Sequence, residues 1–547
     1  MGFRGDWPAH AWPARLTRPV GVPPVSRAAR WCGWLAVVGI GGSLAVTVAV
    51  SLARASWMGP AVPMPKHGPP FELSSWHLTL ASATIALWLS AVAGGLGVAA
   101  ALIAVRRGAR PPVWLLLAAA AAVVAVLTVL PPVGSTDSLD YMAFGRMVVL
   151  GHSPYVMVPR DLALMHDAVG KSIPWEWGKF PSSYGPAATV EQYLAARLGG
   201  TSVARILFWL KLANAVAFGV VAYAADRLLR SDPAARLRAH LLWTINPLLI
   251  WQLIAAGHLD VLAAAAGMLG LVVAGGWPAR QPERGERLGR VLAGGLLVGL
   301  AADVKITFAL FGLGLAWAYR RSLAACAVAA CGMLAVLLPS YGWFGPPAIK
   351  AVTVRDNRTT ADNFYQLFGS PHSVLLKHVG IIAAVLVVGL AIVTLARLPI
   401  RRTAQPAIFA ALAVSTAWLF VWQYQLPSYE AMIICLLILV PACWLDWLVV
   451  VRLTAATVAL MPGNTVAPPT PLLARISYDD LTLVVPIALI CAAATLVVLC
   501  LFSRDRRLSL RADTASPAAG TAQLAIRTEA RAADTGPLAA DSQAANG

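Results

Sequence analysis

The chain alternates long apolar runs with short polar links over most of its length. Runs of about 20 residues are long enough for a helix to cross the hydrocarbon core of a bilayer. The pattern predicts about 13 membrane-spanning helices, at residues 31–53, 76–104, 112–131, 202–228, 239–256, 259–276, 289–303, 306–319, 322–340, 378–397, 406–426, 429–450 and 482–502. We therefore expect an all-α, polytopic membrane protein, because neither a soluble core nor one anchored domain needs so many runs.

The links between these runs are alternately rich and poor in arginine. Arginine-rich links begin at residues 106, 227, 279, 319 and 396. The positive-inside rule places such links in the cytoplasm. Residues 132–200 and 340–377 then form two outer loops of a multi-pass plasma-membrane protein, and its active site should face outside.

The two ends of the chain lack the apolar periodicity. Residues 1–30 combine arginines with prolines and predict a disordered cytoplasmic segment, and residues 503–547 predict a disordered tail. The transmembrane domain is expected to occupy residues 31–502. The number of spans between Arg452 and Asp480 is open by one, so the side of the C-terminus stays open.

Composition narrows the class of protein further. The chain is 59% hydrophobic and 12% charged, with a formal net charge of +18. The arginines lie in the links, so we attribute the charge to membrane topology and anionic lipid headgroups, and we expect no nucleic-acid partner. The seven cysteines show no zinc or redox spacing and predict buried thiols.

The first outer loop opens with two carboxylates close to the end of an apolar run. Residues 138–150 predict an amphipathic helix lying on the membrane surface. Asp137, Asp140 and Tyr141 would share one face of it through their i, i+3 and i+4 spacing. Asp137 could instead cap the helix, reinforced by Asp140. Capping and catalysis are compatible.

Other polar candidates lie at the outer ends of later runs. His258 and Asp260 form a helix–helix corner, "GHLD", and could bind a sugar or each other. Lys305 ends an apolar run, although lysine supplies only seven of the 43 basic residues. It could contact a substrate or reach the membrane surface with its ammonium. Arg355 and Arg358, in the second outer loop, could bind substrate or stay solvated.

Several of these stretches together resemble a known superfamily. They are "DSLDYMAFGRMVVLGHSPY" from residue 137, "YGP" from 184, "GHLD" from 257, Lys305, and "RDN" from 355. The chain resembles the polytopic, lipid-phosphosugar-dependent glycosyltransferases of superfamily C. It is most similar to the actinobacterial polyprenol-phosphomannose-dependent α-1,6-mannosyltransferases of lipomannan synthesis. Those relatives more often have Asn where this chain has Leu259.

The resemblance implies an architecture with a large first catalytic outer loop, at residues 132–200. It also implies transfer of mannose from polyprenyl-phosphate mannose to a glycolipid or a mannan, with inversion at the anomeric carbon. Asp137 matches the family's base, and Asp140 is second. The predicted substrate-binding residues are Tyr141, Arg146, Tyr184, His258, Asp260, Lys305, Arg355 and Arg358.

Chemistry supports one base and one or two cations. A hydroxyl is a poor nucleophile and needs a carboxylate to take its proton, whereas a departing phosphate needs fixed positive charge. The sequence identifies no specific cofactor. A divalent cation could sit beside Asp137 and Asp140, but no recognisable ligand set demands one.

Three other functions remain open. The first is a related glycosyltransferase that uses another lipid-linked sugar, or an acceptor such as a carotenoid or glycolipid. The second is a transporter or lipid flippase, which would place ionisable groups near the bilayer midplane. The third is a non-catalytic subunit of envelope synthesis, which would tolerate loss of Asp137.

Overall fold

A computed structural model describes residues 26–55, 68–173, 177–275, 284–353, 406–461 and 470–491, apart from positions 72, 423, 425 and 482. One compact unit extends to Ile490. The predicted disordered tail at 503–547 lies outside the described residues, as do the predicted span at 378–397 and most of the N-terminal segment.

The first helix begins four residues earlier than the apolar run predicts. Helix α1 spans Arg27–Leu52, and the hydroxyl of Ser26 caps it by accepting a hydrogen bond from the amide of Ala29 at 3.1 Å. It packs along α2, Leu80–Arg106, where Gly39 and Gly97 let the two backbones meet. Between them lies an unpredicted parallel pair of strands, β1 (Ala53–Ala55) and β2 (Leu73–Leu78).

Helices make up most of the rest of the described chain, as expected. In order they are α3 (Val113–Thr128), α4 (Asp137–Val149), α5 (Pro159–Leu164), α6 (Pro186–Gly199), α7 (Val203–Leu228), α8 (Pro233–Ala239), α9 (Pro247–Ile250), α10 (Asp260–Gly275), α11 (Arg284–Val304), α12 (Leu310–Tyr319), α13 (Leu323–Phe344), α14 (Pro346–Thr353), α15 (Pro406–Val421), α16 (Glu430–Leu437), α17 (Leu445–Leu460) and α18 (Pro471–Arg475).

In the described ranges, four helices are long and apolar enough to cross a membrane, namely α1, α2, α7 and α13. A fifth span results if the segments Pro233–Ala255 and Asp260–Gly275, which meet at 116°, are taken together. Shorter apolar helices of 10–17 residues accompany them. The protein is thus a helical membrane protein, and the count of 13 spans stays a prediction.

One predicted span is wrong as a single helix. Residues 429–450 form two helices, because α16 ends at Leu437 and α17 begins at Leu445. Pro441 lies between them, and proline lacks the amide hydrogen that would continue the ladder. The predicted span at 239–256 is also irregular, since π-helical turns at His240–Thr244 and Trp251–Ala255 flank the short α9, whereas the span predicted at 259–276 corresponds to the regular helix α10.

The expectation of a surface helix in the first outer loop is also wrong. Most of α4 is buried, including Leu139, Tyr141 and Met147. Gly145 allows this, because a Cβ at that position would overlap the backbone carbonyl of Gln192 in α6. Helix α4 is therefore an interior element that fixes the direction of its side chains.

The cysteines differ from the expectation too. Of the six described, only Cys435 is buried, while Cys331 and Cys491 are exposed. A helix in a bilayer keeps apolar side chains on its outer face as well, so an apolar run does not by itself predict burial.

Candidate active site

The carboxylate at the start of α4 faces the corner between α9 and α10. The carboxylate Oδ2 of Asp137 lies 3.5 Å from Nε2 of His258, an ion-pair contact that is long for a hydrogen bond. The other ring nitrogen of His258 donates to the backbone carbonyl of Gln252 at 2.7 Å, which fixes the ring. Gly257 makes this corner possible, because its φ of +80° favours glycine.

Asp137 is not the residue that caps α4. Thr136 occupies the N-cap position and its side chain makes no capping hydrogen bond. Asp137 is the first helical residue, where the helix dipole favours a negative charge. Its carboxylate is also partly accessible, with 28% of the side chain exposed against 1% for His258.

The two aspartates of α4 have opposite electrostatics. Burial alone would raise the pKa of Asp137, but the adjacent His258 and the more distant Lys305 outweigh it and hold the pKa below its usual value. Burial raises the pKa of Asp140 well above its usual value, and the charge of Asp137 adds to this. Asp137 is therefore the member of the pair that ionises more readily, and Asp140 holds its proton to higher pH.

A second buried pair lies beside the first. The ammonium of Lys305 donates to Oδ1 of Asp260 at 2.7 Å, and their side chains are 10% and 2% exposed. Asp260 is the first residue of α10, and Lys305 follows the last residue of α11. The two positions that the sequence singles out at separate helix ends are thus direct partners.

Two tyrosines predicted to bind substrate contact each other in the same region. The hydroxyls of Tyr141 and Tyr184 lie 3.1 Å apart, and their rings meet edge to face at 5.0 Å. Tyr184 precedes α6, where the amide of Gly185 donates to the carbonyl of Val304 at 3.2 Å. This bond joins the loop at residues 132–200 to the residue before Lys305.

Not every predicted residue joins this group. Arg146 pairs with Asp167 through its Nε and Nη2, each 2.9 Å from Oδ2, and so stabilises the loop at residues 132–200. It lies nine residues after Asp137, roughly 13 Å along the helix axis. Arg355 and Arg358 lie outside the described residues.

Three residues of this region are not among those predicted. The ring of Tyr429 lies under the ammonium of Lys305, and Lys211 and Asn214 bind the backbone segments that lead to Asp137 and His258. An ionisable or amide side chain inside an apolar run is costly, so Lys211 and Asn214 carried a usable signal. Tyr429 carried none beyond its place at a helix end.

Across the described ranges, no three His, Cys, Asp or Glu side chains come close enough together to hold a metal ion. The side chains that do converge are two carboxylates and two basic groups, in the neighbouring pairs Asp137–His258 and Asp260–Lys305. Such an arrangement can take a proton at Asp137 and offer positive charge at Lys305.

Comparison with known proteins gives a family match over the part of the chain that carries the site. Residues 36–321, slightly more than half of the chain, match the family described as "Alpha-(1->6)-mannopyranosyltransferase, N-terminal domain". This range contains Asp137, Asp140, His258, Asp260 and Lys305.

Individual relatives agree with this match. A probable α-(1→6)-mannopyranosyltransferase of Mycolicibacterium smegmatis is 26% identical over 247 residues, 40% of this chain and 43% of the relative. α-(1→6)-Mannopyranosyltransferase B of Corynebacterium glutamicum is 24% identical over 196 residues, 35% of this chain and 32% of the relative. Each alignment thus spans less than half of the relative's length.

Among solved structures, ArnT from Cupriavidus metallidurans in the apo state is similar at 17% identity and a TM-score of 0.40. The match covers 71% of this chain and 72% of that one.

Proposed function

The chain belongs to the α-(1→6)-mannopyranosyltransferase family, and we propose that it transfers mannose from polyprenyl-phosphate mannose to an α-1,6-linked mannan or glycolipid of the cell envelope. The observation that carries the proposal is the partly exposed, ionised Asp137 beside buried His258, next to the Lys305–Asp260 pair. It is the combination that displacement of a phosphate by a hydroxyl needs.

Asp137 acts as the base. Its carboxylate takes the proton of the acceptor hydroxyl while the hydroxyl oxygen attacks the anomeric carbon of mannose. His258 supports the ionised form and is itself held by the Gln252 carbonyl. Asp140, protonated and close by, is available to donate a hydrogen bond to sugar or acceptor.

Lys305 stabilises the leaving group. As the bond between the anomeric carbon and the phosphate oxygen breaks, negative charge grows on the lipid phosphate. An ammonium has three hydrogens, and Asp260 accepts one of them. A remaining hydrogen can serve a phosphate oxygen, and Arg355 and Arg358 stay further candidates for this role.

The displacement is direct. One attack at the anomeric carbon inverts it, which converts a β-linked donor to an α-linked product. No covalent sugar–enzyme intermediate is needed, in keeping with a single carboxylate base. The phosphate leaves as an anion, so no general acid is required.

A lipid-linked donor suits the surroundings of the site. An apolar groove of about 610 Å³ lies between α6, α7 and α10. Ala187 and Leu262 line it, and these residues follow Tyr184 and Asp260 closely in sequence. A long hydrocarbon chain placed there would leave its phosphate near Lys305. Outside the plasma membrane there are no nucleotide sugars, which also favours a lipid carrier.

The test is a transfer assay with purified protein in lipid. Radiolabelled polyprenyl-phosphate mannose and an α-1,6-linked oligomannoside should give an extended product in which each added mannose is α-1,6-linked. Polyprenyl-phosphate glucose serves as the matched donor. Transfer from polyprenyl-phosphate glucose, with none from the mannose donor, would show that another lipid-linked sugar is the substrate. Absence of transfer from either donor would contradict the proposal.

A further inference from the structure

Helix α7 carries a buried lysine in the middle of an apolar sequence. Lys211 is 1% exposed. Its ammonium donates to the carbonyls of Leu127 at 2.5 Å and Leu130 at 2.7 Å, at the C-terminal end of α3. The end of a helix carries partial negative charge, so it can accommodate a buried cation. Lys211 therefore pins the end of α3 to α7.

One turn further along the same face of α7 lies a buried amide. Asn214 is also 1% exposed. Its Nδ2 donates to the carbonyls of Leu253 at 3.2 Å and His258 at 3.1 Å. Residues three apart share a helix face, so Lys211 and Asn214 act on neighbouring backbone segments.

These two segments are the ones that deliver Asp137 and His258. Residues 131–136 connect the end of α3 to Asp137, and residues 251–257 connect α9 to His258. The segments also bind each other, because the amide of Val133 donates to the Ala255 carbonyl at 3.0 Å and the indole of Trp251 donates to the Val133 carbonyl at 3.2 Å.

The corner at Gly257 is closely packed. A Cβ on Gly257 would lie 3.3 Å from Cβ of Ser138 and 3.6 Å from Cγ of Lys211. The corner before His258 is thus enclosed between the first turn of α4 and the stem of Lys211. A shift of either segment would alter the 3.5 Å separation of Asp137 and His258.

We propose that Lys211 and Asn214 are positioning residues that hold both segments against α7 and so fix the distance between Asp137 and His258. The inference rests on the proposed role of Asp137 as the base. Neither side chain needs to touch substrate. Their effect passes through the backbone carbonyls of residues 127, 130, 253 and 258.

Loss of either positioning residue should change both the rate of mannose transfer and its dependence on pH. The groups that share electrostatic interactions with Asp137 are His258, Lys305, Asp140, Tyr141, Tyr184 and Tyr429. His258 favours the ionised form most strongly. If His258 drifts away, Asp137 gains a proton more easily, and the acidic limb of the activity profile moves to higher pH.

The experiment compares two buried asparagines. Asn214→Leu removes the donor to both carbonyls without a large change of volume. Asn246→Leu is the matched control, because Asn246 is 2% exposed and its hydrogen bonds are local: it donates to the Leu242 carbonyl at 3.0 Å and caps α9 by accepting from the amides of Leu248 and Leu249. Both variants, and wild type, are assayed for mannose transfer from pH 3 to 8, a range that reaches below the usual aspartate value of about 4, with donor concentration varied.

For Asn214→Leu we expect kcat to fall by about tenfold, since a misplacement near 1 Å costs up to ~10²-fold. The donor KM should stay unchanged and the acidic limb should move up. Asn246→Leu should lose thermal stability while its limb stays in place. Lys211→Met should repeat the shift, and Lys211→Arg, which keeps donors, should move the limb less.

Matching acidic limbs in wild type, Asn214→Leu and Asn246→Leu would overturn the positioning role, whatever happens to the amount of folded protein. If Asn214→Leu does not fold, the milder Asn214→Ser replaces it and must show the same shift. Failure of wild type to transfer mannose would instead overturn the proposed function, and the positioning role with it.

Discussion

The ammonium of Lys305 lies 3.5 Å from the centre of the Tyr429 ring. Lys305 follows α11 and Tyr429 precedes α16, so the contact joins two distant parts of the chain at the site. A ring face attracts a cation most strongly where water is excluded, and here Lys305 is almost buried. The tyrosine ring and Asp260 together set where the ammonium points.

Replacing Tyr429 should therefore weaken donor binding through Lys305. Loss of a desolvated cation–π contact is worth about 2 kcal/mol, or roughly 30-fold in apparent affinity for the phospholipid donor. Tyr429→Leu should raise the donor KM by up to that factor. Tyr429→Phe keeps the ring face and should behave nearly as wild type. Equal KM values for the Leu and Phe variants would argue against the contact.

Removing the base should abolish turnover without unfolding the protein. Asp137→Asn cannot take a proton, and loss of a general base costs about 10²–10⁴ in rate. The control is Asp161→Asn, because Asp161 is exposed and accepts a hydrogen bond from the amide of Val158 at 3.2 Å. Purified Asp137→Asn with a kcat near wild type would exclude Asp137 and leave Asp140 as the next candidate.

Asp140 should tolerate a neutral isostere. Burial and the charge of Asp137 raise its pKa well above the usual value, which favours its protonated form. An amide can replace a protonated acid as a donor. We expect Asp140→Asn to keep kcat within about threefold of wild type, while Asp140→Leu, which loses the polar group, should fall well below it. Loss of activity in Asp140→Asn as severe as in Asp137→Asn would show that Asp140 acts as an anion.

The pH dependence of activity should show the effect of His258 on the pKa of Asp137. The folded pKa of Asp137 is depressed, so activity is present above that pKa and is lost only as pH falls through it. For wild type this acidic limb should lie below about pH 4, the usual value for an aspartate. In His258→Gln, less opposes the effect of burial on the pKa of Asp137, so the acidic limb should move above about pH 4. An unmoved limb in that variant would separate Asp137 from His258 functionally.

The orientation can be tested by cysteine labelling. Leu164, in α5 of the first outer loop, is 68% exposed, and Ser231 lies exposed in an arginine-rich link. In intact cells a membrane-impermeant reagent should label Leu164→Cys and leave Ser231→Cys unlabelled until the membrane is permeabilised. The parent chain gives the background from its own cysteines. The reverse pattern would place the first loop in the cytoplasm.

Much of the helical framework follows from sequence alone. The spans predicted at 31–53, 76–104, 202–228 and 322–340 correspond to α1, α2, α7 and α13, because an uninterrupted apolar run of sufficient length must satisfy its backbone hydrogen bonds within one helix. Prediction fails where the backbone departs from regular geometry. The π-helical turns lie on either side of Pro247. At the break near Pro441, Arg238 from a distant part of the chain donates to the carbonyls of Leu437 and Val440, a contact that local sequence does not predict.

For the candidate site, too, sequence and tertiary structure decide different things. The sequence by itself determined that Asp137, His258, Asp260 and Lys305 are candidates, because a charged or polar group at a membrane helix end is costly unless it has a use. Only the tertiary structure decided that Asp137 meets His258, that Lys305 meets Asp260 and Tyr429, and that Arg146 serves Asp167. Local periodicity is set by residues within one helix, whereas the pairing of charges depends on how distant segments pack, and glycines such as Gly145 and Gly257 decide how closely they can approach.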